Sequence, residues 1–264
     1  MGYDEIILKH YAEEAARSKD APHSTMQDPY VRQREVSAIT TVLKEITVRM
    51  NNDAIRVLEI GCGNGYLLSQ LVPLFPRMNF SAVEFSPELL AIAQERTLAG
   101  TQIKSGDCRQ LAFPDRSFDA VIGERVLINL LDRNDQKQAI KEIARVLCPR
   151  GFYLMIEGFL EPHQMLNQAR EELGMSPIPV PSHNLYFSES ILKDMEPVGF
   201  FSQGLGIQPN FLSTHYFISR VLHACIRCEN AKIYGTRFVD FFDSAFPPDI
   251  GNYAAIKFYS LQKC

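Results

Sequence analysis

An apolar stretch over residues 55–60 runs into three glycines at alternate positions, Gly61, Gly63 and Gly65, and that junction narrows what the chain can fold into more than any other feature. A buried strand ending in a glycine-rich turn lets a ligand approach main chain and presents to it the first N–H groups of the following helix. Doubly wound α/β folds are organised around such a junction. The spacing narrows the ligand as well. A dinucleotide fingerprint would place its third glycine one position later, where Tyr66 stands, and here Glu59 lies two residues before the first glycine. Both departures favour a nucleoside without a pyrophosphate.

The flanking pattern agrees. Residues 66–72 read as a helix stopped by Pro73, 80–84 as a second strand, and 88–98 as a helix with Ser86 at its N-cap and Pro87 in its first turn. Residues 101–105 and 118–123 supply two more strands, and 138–147 an amphipathic helix with Ile140, Ile143, Ala144 and Leu147 on one face. A Pro149-Arg150-Gly151 turn then leads to a fifth strand at 152–156. Strands alternating with helices predict a parallel sheet covered on both faces. Upstream, Asp28-Pro29 starts a helix carrying Val36, Ile39, Leu43 and Ile46. Downstream, Pro162, Pro177, Pro179 and Pro181 mark an irregular insertion before a helix near 188–195. Residues 200–207 and 254–261 read as the last two strands, and the surplus between them, rich in Phe, Tyr and His, as a helical cap.

The predicted fold is therefore a Rossmann-like, doubly wound, mostly parallel seven-stranded sheet with helices on both faces and a helical cap over its carboxyl edge. It forms one domain, with cover helices in 1–54, a cofactor-binding core in 55–157, cap and insertions together with late core elements in 158–250, and a last strand in 251–264. At 264 residues, 46% apolar and 22% charged, the chain can bury a full core. A net charge of −4 supplies no general positive field for DNA or RNA, so a small-molecule partner is expected and nucleic acid is not. No apolar run is long enough to span a bilayer, the start lacks the marks of a signal peptide, and the six cysteines are scattered. A cytoplasmic protein with reduced thiols is expected, and homo-oligomer formation stays open.

The segment from Glu59 through Ile60, Gly61, Cys62, Gly63 and Asn64 to Gly65 resembles the first motif of the class I S-adenosylmethionine-dependent methyltransferases. Further motifs follow in order over residues 55–157. Glu84 ends the second strand where the family places a carboxylate on both ribose hydroxyls, with Phe85 beside it. Gly106-Asp107-Cys108 resembles the motif that holds adenine through an acidic side chain and the next N–H. Phe118 to Gly123 resembles the fourth strand, which implies that Glu124, Arg125 and Val126 lie beside the methionine end. Leu147-Cys148-Pro149-Arg150-Gly151 departs from the family's Leu-x-Pro-Gly-Gly turn at Arg150. The resemblance implies S-adenosyl-L-methionine as cofactor. Upstream, the segment from Ser24 to Asp28, with Arg32 and Glu35, resembles a cover segment of some small-molecule members. There Arg32 would meet the cofactor carboxylate and Tyr11 would close the pocket.

A hydroxyl acceptor needs a base, and histidine suits neutral pH. The cap-side candidates are His163, His183, His215 and His223, and His183 is favoured because the stretch from Pro181 to Tyr186 resembles a His-Asn-x-Tyr segment of sugar and natural-product methyltransferases. Asn129 stands where relatives carry an acceptor-facing histidine, and it would orient rather than deprotonate. His223, Cys225 and Cys228 have zinc-like residue types without a second pair at finger spacing, so free thiols in a cap helix are expected and no metal. The activity expected is methyl transfer to a sugar or natural-product hydroxyl. N-methylation of a small molecule and a catalytically silent cofactor-binding partner protein are the alternatives.

Overall fold

The structure is a computed structural model that describes residues 2–21, 26–96, 98–227 and 234–264. Two helices lead, α1 (Tyr3–Ser18) and α2 (Pro29–Met50). The core runs β1 (Arg56–Ile60), α3 (Tyr66–Leu74), β2 (Asn79–Glu84), α4 (Pro87–Glu95), β3 (Gln102–Ser105), β4 (Phe118–Glu124), a 3-10 turn (Leu127–Asn129), α5 (Arg133–Val146) and β5 (Leu147–Gly158). After it come α6 (Leu160–Glu172), α7 (Ile191–Met195), β6 (Phe200–Ser202), α8 (Ser213–Phe217), a wide π turn (Ile218–Leu222), α9 (His223–Arg227), α10 (Arg237–Ala245) and β7 (Ile256–Lys263).

The strands form a seven-stranded sheet in the order β3-β2-β1-β4-β5-β7-β6. Strands β1 to β5 pair in parallel, and β7 runs antiparallel to both β5 and β6. The predicted fold is observed. Side chains alternate between two cores, as a period of two requires. On one face Val57, Ala120, Ile122, Phe152 and Leu154 pack with Ile39, Val42 and Leu43 of α2. On the other, Leu58, Val121, Tyr153 and Met155 pack with Ile140 and Ile143 of α5. The chain order reverses between β1 and β4, which opens a crevice at their carboxyl ends.

The predicted caps are in place: Asp28 Oδ1 accepts from the N–H groups of Tyr30 and Val31, and Ser86 Oγ accepts from that of Leu89. Proline misleads in three places. Pro73 falls within the last turn of α3 instead of stopping it. Pro162 does not mark irregular chain, because α6 starts at Leu160 and the proline occupies its first turn, where a missing N–H has no partner to lose. Pro149-Arg150-Gly151 forms a bulge inside β5, with a register shift between Phe118 and Ala120 of the partner strand and Arg150 at φ +65°. The sixth strand ends at Ser202, well short of residue 207.

Cap helices α8 to α10 pack against α2 and the start of β7. Ser213 Oγ accepts from Tyr253 N at 2.8 Å, and the Phe217 and Tyr253 rings lie 4.6 Å apart. Because β7 is antiparallel, its first residues sit at the sheet's carboxyl edge, so the cap does too. No described helix is long and apolar enough to cross a membrane. Cys62, Cys108, Cys148, Cys225 and Cys264 are free thiols. No metal-binding cluster occurs among the described residues, and Cys228, like Ser24 and Thr25, lies outside them.

Candidate active site

The crevice between β1 and β4 opens into a cleft roofed by α1. Its floor begins with the glycine loop. All three glycines have left-handed backbones, with φ of +60° at Gly61, +56° at Gly63 and +73° at Gly65. A Cβ on Gly61 would stand 2.6 Å from the Val126 side chain, so the loop and the turn after β4 abut only because that atom is missing. Gly61, Cys62 and Gly63 line the cleft. Gly65 lies behind it, and a Cβ there would come within 3.3 Å of the Ala93 backbone, so it is the residue that admits α4.

Glu84 ends β2 on the cleft wall. One of its carboxylate oxygens accepts from Gly63 N at 2.7 Å and the other from Ser86 N at 2.8 Å. Burial pushes its carboxyl above the ordinary carboxylate range, and the N–H groups oppose that rise by favouring the anion. Each oxygen keeps acceptor capacity, which is the provision two neighbouring hydroxyls require. Phe85, Asp107 and Cys108 continue the wall. Asp107 accepts from Arg109 N at 2.8 Å and from its Nε at 2.9 Å, and burial pushes the Cys108 thiol well up.

The opposite end is ionic and buried. Arg32 of α2 donates to Glu124, and Arg125 donates to Glu124 at 2.9 Å and to Glu35. Arg32 also lies over the Tyr66 ring, 4.8 Å from its centre. Burial alone would raise Glu124, but Arg32 and Arg125 outweigh it and hold the carboxyl below its ordinary range. Glu59 has no such cation bonded to it, and burial with the Glu124 charge drives it well up. Three atoms of these wall residues, Arg32 Nε, Glu59 Oε2 and Glu124 Oε2, are buried without a partner among the described residues. Such atoms are costly unless a ligand completes them.

Beside this end Tyr11 Oη donates to Asn129 Oδ1 at 3.0 Å, while Asn129 Nδ2 donates to Arg125 O at 2.6 Å. Both residues line the cleft. His183 does not. Its ring stacks on His10 with centres 3.8 Å apart, and burial together with the His10 charge lowers it to about 4. No described residue from 158–250 contributes to the wall.

Sequence reasoning missed two kinds of residue. Glu157, fully buried at the end of β5, accepts from the N–H groups of Val126 and Leu127 at 3.1 and 2.8 Å and of Ile128 at 3.2 Å. It thereby fixes the turn that carries Asn129, although burial pushes its carboxyl up to about 8 against those bonds. A carboxylate closing the apolar run of β5 was a readable signal. The roof residues Asp4, Ile7 and Leu8 gave no motif to find.

The donor set fits a nucleoside with a charged tail. Acceptors for ribose and adenine stand at one end, and the unpartnered carboxyl oxygens and guanidine N–H at the other suit an ammonium and a carboxylate. Sheet order, glycine loop and wall together define a Rossmann-like domain of the class I, S-adenosylmethionine-dependent methyltransferase type.

Comparison with known proteins agrees. Residues 57–151 match the family described as methyltransferase domain. A malonyl-acyl-carrier-protein O-methyltransferase of Bacillus anthracis is 32% identical over 126 residues, 46% of this chain and 45% of that protein. A fatty-acid O-methyltransferase of Mycolicibacterium smegmatis is 35% identical over 100 residues, 38% of this chain and 35% of that protein. Among solved structures, a Pyrococcus horikoshii OT3 protein shares the fold with a TM-score of 0.53 at 17% identity, over 86% of this chain and 91% of that one. The chain spans about half the length, or less, of these curated relatives. It carries a class I S-adenosylmethionine-dependent methyltransferase domain.

Proposed function

We propose that this protein transfers the methyl group of S-adenosylmethionine to an oxygen of a small-molecule acceptor. The observation that carries the reading is the wall itself, with Glu84 anchored at the β1/β4 crevice and the unpartnered atoms of Arg32, Glu59 and Glu124 at its ionic end. S-adenosylmethionine supplies a methyl carbon activated on a sulfonium. The chain contributes alignment and exclusion of water. Glu84 holds the ribose hydroxyls, Asp107 and the Cys108 N–H hold adenine, Arg32 takes the carboxylate, and Glu59 with Glu124 takes the ammonium. Glu157 keeps the turn after β4 in place, and Tyr11 with Asn129 orients the acceptor.

The acceptor is a natural-product oxygen on an apolar body rather than a sugar. Ile7 and Leu8 of the roof and Leu130 of the wall offer apolar contact at the cleft, and two relatives are named as a fatty-acid O-methyltransferase and a malonyl-acyl-carrier-protein O-methyltransferase. Purified protein is tested with methyl-labelled S-adenosylmethionine against a panel of fatty acids, hydroxylated aromatics, amines and sugars. Label is expected on an apolar oxygen acceptor. Labelled amines would replace oxygen by nitrogen, and calorimetric binding with no transfer to any acceptor would leave a silent binding protein.

A further inference from the structure

One face of α1 roofs the cleft: Asp4, Ile7, Leu8 and Tyr11 recur at helical spacing and all line it. The two halves of the helix are held differently. Near the C-terminal end Glu14 and Ala15 are buried, Asn64 Nδ2 donates to the carbonyls of Lys19 and Ala21 at 3.1 and 3.0 Å, and Arg96 donates to that of Asp20 at 2.6 Å. At the N-terminal end the polar contacts of Tyr3 and Asp4 converge on one guanidinium. Arg109 Nη1 donates to Tyr3 Oη at 2.8 Å and to Asp135 at 3.1 Å, and Nη2 bridges Asp4 at 3.0 Å and Asp107 at 2.7 Å. Tyr3 Oη donates in turn to Asp135 of α5. The Arg109 guanidinium also lies 5.7 Å from the centres of both the Tyr3 and the Phe85 rings.

Arg109 thus joins three elements, the roof, α5 and the loop after β3, through the carboxylate assigned to adenine. We propose that Arg109 is a positioning residue that clasps the α1 roof to the adenine end of the cleft, so that roof closure and adenine binding reinforce each other. This rests on the S-adenosylmethionine reading above. The sign of the coupling follows from the charges. One guanidinium faces the three carboxylates of Asp4, Asp107 and Asp135, so Asp107 accepts a further N–H donor from a ligand without releasing Arg109. A bound ligand also covers Ile7 and Leu8 from below, which favours the closed roof.

Tyr3 and Asp135 lie off the cleft wall, so Tyr3→Phe and Asp135→Asn probe the clasp without touching the ligand. In the unliganded protein, amide hydrogen exchange over residues 3–11 should quicken about two- to fivefold in both variants, with residues 12–18 unchanged, the range set by partly exposed ion pairs. With ligand, S-adenosylmethionine should slow that exchange in the wild type, and stopped-flow release of S-adenosylhomocysteine should be about two- to fivefold faster in the variants. Unchanged exchange in both unliganded variants would overturn the clasp. Faster exchange with unchanged release would overturn its coupling to adenine. Absence of S-adenosylmethionine binding to the wild type would overturn the functional reading and the coupling with it, while faster unliganded exchange would still establish the clasp.

Discussion

Helix α2 carries two buried ionic networks a few residues apart, and they differ in what they leave unsatisfied. At its N-cap, Asp28 Oδ2 meets His215 Nε2 at 2.9 Å and Arg220 at 3.0 Å, and His215 Nδ1 meets Asp243 at 2.6 Å under a stacked Tyr30 ring. Both ring nitrogens of His215 and both oxygens of Asp28 are occupied. Further along, Arg32, Glu35, Glu124 and Arg125 form the second network, and among the described residues Arg32 Nε, Glu35 Oε2 and Glu124 Oε2 find no partner there, whereas the first network leaves one such atom, Asp243 Oδ1. Burial and ion pairing are alike in the two. A network closed on itself fastens helices, and one left incomplete beside a cleft marks where a ligand enters.

The largest test of that contrast is Asp28→Ala. It strands His215 and Arg220 and removes the cap of α2, so unfolding free energy should fall by about 4 kcal/mol in denaturant titration. The protein that remains folded should still bind S-adenosylmethionine. Arg32→Met should do the reverse: calorimetric affinity drops by about 2 kcal/mol, roughly thirtyfold, with a smaller stability loss because Arg125 still neutralises Glu124. If Arg32→Met destabilises the fold more than it weakens binding, the contrast is broken.

A smaller effect separates the networks by pH. Burial opposes the charged form at both groups, but bonded partners outweigh it, so Asp28 lies below 3.8 and His215 above 6.5. The Asp28 contribution is present above pH 3.8 and lost as pH falls through its lowered value; the His215 contribution is present below 6.5 and lost as pH rises through its raised one. The melting temperature gap between wild type and His215→Gln should therefore be widest near pH 4 to 6.5 and narrow above it. A gap that widens above neutrality would contradict the charged-histidine fastening. Smallest of all is His183→Ala. Stacked on His10 away from the wall, it should alter turnover less than about twofold, and a hundredfold loss would restore it as the base.

The core was legible because its signals are local. Buried strands, caps at Asp28 and Ser86, and glycines needing left-handed backbone each declare themselves within a few residues. Glu84 could be placed from its distance to the glycine loop, since parallel βαβ units have a narrow range of lengths. Proline was the least reliable signal, because in a helix's first turn it is silent and at a strand bulge it is tolerated, and neither context shows in the residues alone. Glu157 and Arg109 were passed over for another reason. Their partners lie about thirty residues away or more in two cases, at Val126 and Asp4, and no spacing rule reaches that far.

Sequence alone determined the strands of the sheet and the kind of ligand at the glycine loop, because strand burial and left-handed backbone are properties of single residues and their near neighbours. Tertiary structure decided who surrounds that ligand. It set α1 over the cleft, stacked His183 on His10, and made residues 158–250 support α2 instead of the wall. Side chains from separate helices meet only through packing, and the energy that selects one meeting over another is not written in any one segment.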